Sequence, residues 1–240
     1  DDSFRSDAPR RQGLSVTDRY RKPSDLPHTI PVFPLQGCIL LPRSTLPLNI
    51  FEPRYLEMLD DVLSGDRIIG IIQPRSAPEG QESPLDKTAL LRQTGCAGRL
   101  TAYSETDNGR VLITLTGIAR FDIVAEETTD KPYRRCRVSY EPYTCDFVRG
   151  HGQDAVDWPR LLSVLKMYLS ARRLSADWES IERSPAELLV NTLSMISPYG
   201  PEEKQALLEA PDLKERSEVL MALAQMELAT PEDGSGSSLQ

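Results

Sequence analysis

Apolar residues first gather in Ile30-Pro-Val-Phe-Pro-Leu35. Pro31 and Pro34 cannot donate to a sheet ladder, so this segment predicts an edge or irregular strand. Leu46-Pro-Leu-Asn-Ile-Phe51 is a second extended piece. Pro53 then stands where a helix can start. Tyr55, Met58, Leu59 and Val62 follow at helical spacing, and Gly65 supplies a stop. Arg67-Ile-Ile-Gly-Ile-Ile-Gln73 is short and apolar enough for a buried strand, and residues 75–88, with Pro78, Gly80 and Pro84, read as a loop. Val111, Ile113 and Leu115 alternate with Leu112, Thr114 and Thr116, the period of a half-buried strand. Asn108-Gly109 lies between that strand and an extended run from Cys96 to Thr106, which predicts a hairpin with positive φ at both turn positions. Phe121–Val124 and Tyr133–Tyr140 read as two more strands.

Near residue 154 the period becomes helical: Leu161, Leu165, Tyr168, Leu169 and Arg172 share one face. Ser184-Pro-Ala-Glu187 has the form of a capping box, ahead of a stripe of Leu189, Leu193 and Ile196 that ends at Pro198 and Gly200. Two more helices are expected, near 201–210 and 212–229, separated by Pro211. Strands followed by helices predict an α+β fold, a barrel-like half with one embedded helix and then a helical bundle. The expected parts are a disordered arm at 1–28, the β half at 29–150, the helical half at 151–230 and a flexible tail at 231–240.

The chain has 240 residues and a net charge of −8, whereas a generic nucleic-acid binder carries a basic surplus. Residues 1–22 carry six Lys/Arg against four Asp/Glu, and residues 201–240 three against nine. Cys38, Cys96, Cys136 and Cys145 form no C-x-x-C pair, and His28 and His151 are the only histidines, so no zinc site is expected. Free thiols fit a reducing cytoplasm. No apolar run reaches 18 residues, so a membrane span is not expected either. There is no P-loop, H-E-x-x-H, G-x-S-x-G or EF-hand pattern, and no local feature activates any cysteine.

The blocks Pro31-Val-Phe-Pro-Leu35, Leu40-Leu-Pro42, Leu46-Pro-Leu48 and Ile50-Phe-Glu-Pro-Arg-Tyr55 stand in an order that resembles the Lon protease N-terminal (substrate-binding) domain. Asp66–Gly70, Leu115-Thr-Gly-Ile-Ala-Arg-Phe121, Leu189–Leu193 and Glu203–Glu209 continue the resemblance, which covers roughly residues 30–225. It is nearest to short bacterial proteins carrying this domain alone. It implies a PUA-like β pseudo-barrel followed by helices, and a role in holding unfolded or extended polypeptides, with a separate protease or chaperone as a further partner. It implies no catalysis and no cofactor, since ATPase and Ser/Lys protease modules are separate domains of Lon.

Two readings of the proline-rich blocks stay open. Stiff, partly unpaired backbone suits strand addition by a peptide, with Phe33, Leu41, Pro42, Phe51 and Tyr55 as candidate contacts. Alternatively Pro31, Pro34, Pro47, Glu52, Pro53, Arg54, Gly117 and Phe121 shape the barrel, with Phe51 packed under the helix and Glu52 and Arg54 tying loop to barrel. Arg134, Arg135 and Arg137 form a basic patch or a solvated face. The competing functions are a PUA-like RNA binder and an unrecognised hydrolase using a Cys/His pair.

Overall fold

The computed structural model describes residues 15–75, 89–106 and 108–230. The tail at 231–240, the first half of the expected arm, most of the expected 75–88 loop and one turn residue of the expected hairpin lie outside them.

Among the described residues six strands and six α-helices follow one another: β1 (Thr29–Pro34), β2 (Thr45–Ile50), α1 (Pro53–Ser64), β3 (Ile68–Pro74), β4 (Leu91–Glu105), β5 (Val111–Glu127) and β6 (Arg134–Ser139). The helical half then runs α2 (Trp158–Ala171), α3 (Trp178–Arg183), α4 (Ala186–Ile196), α5 (Pro201–Glu209) and α6 (Leu213–Ala229). The sheet order is β2-β5-β4-β3-β1-β6, and β5 pairs with β6 to close the ring.

β1 is not the edge strand its prolines predict. It pairs with β6 over Thr29–Val32 and, in parallel, with β3 over Val32–Pro34. Pro31 therefore precedes one ladder and Pro34 lies beyond the other, so neither missing N–H breaks a row. β3, the run of Ile68 to Pro74, is buried throughout, as an interior strand requires.

β5 absorbs two expected strands into one of 17 residues, and its length closes the barrel. β4 lines one side of it, while β2 covers Val111–Thr116 and β6 covers Asp122–Glu127 on the other. The gap between them is closed by the 41–44 loop and by Asp146. Arg43 N–H donates to the Gly117 carbonyl (2.8 Å) and Gly117 N–H to the Ser44 carbonyl (2.9 Å). A Cβ on Gly117 would stand 2.0 Å from the Leu41 carbonyl oxygen, so only glycine admits this approach. The expected β4–β5 hairpin forms, but its turn differs from the expected one: the Gly109 N–H donates to the Thr106 carbonyl, so Asn108 and Gly109 are not its two central positions, and Gly109 takes the positive φ of 73°.

The side chains divide into two cores. Ile30, Val32, Ile72, Phe121, Cys136, Val138 and Tyr140 form one within β1, β3, β5 and β6. The other runs from Phe33, Ile71 and Leu115 through α1 into α2, α4, α5 and α6. Residues 15–28, expected as part of a disordered arm, instead make two short 3-10 helices with Thr17 and Leu26 buried. Leu26 joins the first core, so this segment gains enough apolar contact to order. The expected capping box is not formed: Ser184 ends α3, Pro185 precedes α4, and the Glu187 carboxylate turns away to Arg43 and the Gly150 N–H. α3 itself has no counterpart among the expected helices.

Candidate functional site

The two halves meet across a buried polar seam centred on Arg120 of β5, which is 1% exposed. A guanidinium in such a place must be fully hydrogen-bonded. Its Nε and Nη2 make a bidentate pair with Asp146, each at 2.9 Å, and its backbone N–H also donates to Asp146. Nη1 donates to the Leu208 and Ala210 carbonyls and Nη2 to that of Pro211, at the α5–α6 corner. Burial pushes the Asp146 carboxyl upward, but the Arg120 hydrogen bonds and charge outweigh it and hold it below the usual carboxylate range.

Around this centre, further cross-links join barrel to helices and helix to helix. Arg43 reaches Glu187 and the Asp146 carbonyl. Asn191 of α4 donates to the Pro42 carbonyl (3.2 Å) and accepts from Arg216 of α6 (2.9 Å). Gln73 of β3 donates to Gln205 and to the Pro201 carbonyl of α5. The seam is therefore a scaffold rather than an open site, and it fixes how α4, α5 and α6 stand on the barrel.

That placement leaves a groove in the helical half, a cavity of about 430 Å³. α6 forms its floor with Leu220, Met221 and Ala224. α2 forms one wall with Leu161, Val164, Leu165, Tyr168 and Leu169, and the end of α4 the other with Leu193 and Ile196. Ile196 is 69% exposed, and Leu174 beyond α2 is also exposed. Among the described residues of the lining, the one charged side chain, Arg172, pairs with Glu227 at 2.7 Å. Contiguous apolar surface of this kind marks a binding site more often than a solvated face.

The residues proposed from the sequence as peptide contacts lie elsewhere. Phe33, Leu41, Pro42 and Tyr55 are buried, and the Phe33 and Tyr55 rings pack against each other in a tilted pair, 4.1 Å apart between centroids. Phe51, expected under α1, is 60% exposed with the Arg110 guanidinium over its ring. Glu52 and Arg54 pair with each other at 2.8 Å, and Arg54 also covers the Tyr55 ring. Pro34, Gly117 and Phe121 are buried, Pro31 is half-buried, and Pro47 and Pro53 are exposed.

β2 is the edge strand, and its geometry bears on strand addition. Ser44 bonds to Gly117 of β5, so by alternation Leu46, Leu48 and Ile50 point their backbone groups at β5. The amides of Thr45, Pro47 and Asn49 face outward, and Pro47 has none to offer. A proline in the middle of the open row blocks an added strand. Arg134 and Arg135 do not form a free basic patch: they pair with Glu126 and Glu127 of β5.

Cysteine chemistry finds no support in the geometry. Burial pushes the thiols of Cys38, Cys96, Cys136 and Cys145 upward, Cys136 to about 12, which disfavours the nucleophilic thiolate. Among the described residues no group of three His, Cys, Asp or Glu could hold a metal, and no helix is long and apolar enough to cross a membrane.

Sequence reasoning named most of the groove walls as helix stripes but not as a site. Whether the stripes of α2 and α4 are covered by a neighbour or left open is decided by how the helices stand on α6. Arg120 was legible as an anomaly, a lone cation in an apolar strand, which requires a buried partner.

A family model described as the ATP-dependent protease La (LON) substrate-binding domain matches residues 29–225. A Lon protease of Syntrophus aciditrophicus is 24% identical over 213 residues, which are 88% of this chain and 26% of that protein. One from Desulfosudis oleivorans is 30% identical over 101 residues, 40% of this chain and 11% of that protein. The chain thus spans about a quarter or less of these relatives. Among solved structures, the N-terminal domain of Mycobacterium avium complex Lon protease superposes with a TM-score of 0.59 at 18% identity, covering 82% of this chain and 98% of that one. A Lon N-terminal domain protein from Xanthomonas campestris superposes with a TM-score of 0.53 at 18% identity, covering 85% and 99%. At that identity the structures establish the α+β fold alone, and the family rests on the match along nearly the whole described chain. The chain belongs to the ATP-dependent protease La (LON) substrate-binding domain family.

Proposed function

We propose that this chain works as a non-catalytic module that captures apolar segments of unfolded polypeptide in the α2–α4–α6 groove and so presents them to a protease. The observation that carries this reading is the groove itself, an open apolar trough in a domain whose family is defined by substrate binding. The raised thiols support a binding role over hydrolysis, and four free cysteines support action in a reducing cytoplasm.

The test is fluorescence anisotropy with labelled, reduced and carboxymethylated α-lactalbumin as a permanently unfolded ligand. Saturable binding is expected, weakened at least tenfold by Ile196→Asn with Leu174→Asn. Both side chains are exposed, so the variant keeps its fold. Unchanged binding by the variant would remove the groove from the reading. Equal binding of RNA across a salt series is not expected at this charge.

A further inference from the structure

We infer that the seam binds one monatomic anion of the halide class, held by Arg216 at the N-terminus of α6. The site is separate from the groove and does not depend on what the groove takes.

Arg216 lies in the interior near Arg120 and is 3% exposed. Its Nε donates to the Leu207 carbonyl and its Nη1 to the Asn191 side-chain oxygen, both at 2.9 Å. Those acceptors are neutral, and Nη2 is buried with no acceptor among the described residues. Arg120, by contrast, meets the Asp146 carboxylate with two nitrogens. Arg216 is thus short of both a hydrogen bond and a counter-charge, each of which a buried cation needs. Burial, and then the Arg120 charge, lower its pKa to about 10, which still leaves it protonated at neutral pH.

The protein has no spare carboxylate to offer. Three line the cavity at Arg216, and each is engaged elsewhere. Asp146 gives both oxygens to Arg120. Glu187 is divided between Arg43 and the Gly150 N–H. Asp212 caps α6 through the Glu215 N–H. Cys145, also in the lining, is held as a neutral thiol by burial. The buried charges of the lining are Arg120, Arg216 and Asp146, two cations against one anion.

The space fits a small ion. The cavity measures about 20 Å³, room for one water or one ion of similar size and too little for sulfate or phosphate. With Nε and Nη1 committed, Nη2 is the Arg216 donor left for it. Asp212 and Leu213, at the start of the 17-residue α6, also line it. The N–H groups and dipole of that helix start place partial positive charge there. A free guanidinium donor, a surplus buried cation and a helix's positive pole together favour an anion over water. The exposed His151 and half-buried Asp212 carry the lining to the surface, so a small ion can enter. Binding there stabilises the folded chain by mass action.

The experiment is bromide replacement in crystals of the full chain, with anomalous diffraction collected at the bromine edge. One peak is expected in contact with Arg216 Nη2. A water without anomalous signal at that place overturns the inference, and so do bromide peaks confined to the surface. The second measurement is melting temperature in sodium chloride against sodium gluconate at matched ionic strength. Wild type is expected to gain about 4 °C in chloride, the shift for a ligand at roughly ten times its dissociation constant. Arg216→Met removes the charge while keeping an apolar side chain in the space, and is expected to lose that gain. Equal gains in both proteins, or none in wild type, overturn the inference. Should Arg216→Met fail to fold, the bromide peak in wild type decides alone.

Discussion

Arg120 and Asp146 show how one buried pair constrains much of the molecule. All five guanidinium N–H groups are directed at acceptors from two separate segments, Asp146 and the 208–211 corner. Removing either partner strands a buried charge, which costs about 3–5 kcal/mol. Asp146→Ala is accordingly expected to lower the urea midpoint by that amount of stability. The pH dependence has a defined sign. The folded Asp146 carboxyl titrates below its unfolded value of about 3.9, so its contribution is complete above that pH and is lost as pH falls toward the lowered folded value. Acid titration of wild type against Asp146→Asn should show the wild type losing its advantage in that window; parallel curves would contradict it. Gly117→Ala places a methyl against the Leu41 carbonyl and is expected to destabilise by about 1–3 kcal/mol in thermal or urea unfolding.

Among the elements, β2 carries the barrel's exposed edge and Pro47 protects it. Pro47→Val restores an outward amide and a β-branched side chain in that row. The expected result is concentration-dependent self-association in light scattering, with little change in melting temperature; a strictly unchanged size distribution would show that something else guards the edge. Phe51, at the end of β2, is predicted to be worth little: Phe51→Ser should change stability by no more than about 0.5 kcal/mol, since the side chain is mostly in water. The α3–α4 junction illustrates a different principle. Ser184, Pro185 and Glu187 carry the residue types of a helix start, yet Glu187 gains more by pairing with Arg43 across the seam than by capping locally.

In the molecule as a whole, the seam and the groove divide the labour. Buried hydrogen bonds from Gln73 to Gln205, from Arg120 to the Leu208 carbonyl and from Asn191 to the Pro42 carbonyl hold α5 and α4 against the barrel, and Arg216 bonded to Asn191 ties α6 to α4. With those helices placed, α2 packs on one side of α6 and α4 on the other, and the surface between stays open. Substitutions in the seam should therefore impair binding only together with stability, whereas substitutions at Ile196 or Leu174 should impair binding alone. Measuring melting temperature and peptide affinity on both sets separates the two, and loss of affinity without loss of stability in Asn191→Ala would contradict the division.

The alternation of Val111–Thr116, the helical stripes of α1, α2 and α4, and the Asn-Gly hairpin were legible because each is a local pattern that one face of buried apolar surface demands. The ordered proline-rich blocks carried the family resemblance for the same reason: they lie close together in the chain. What required the folded molecule was anything settled between distant segments. Pro31 and Pro34 sit inside a sheet because two ladders end on either side of them, Leu26 orders its segment by reaching a core formed elsewhere, and Phe33 and Tyr55 are interior rather than contact residues because α1 closes over β1. The groove belongs to this second kind. An apolar stripe on a helix states that it will be covered, and only the arrangement of α2, α4 and α6 decides that part of it is left for another chain to cover.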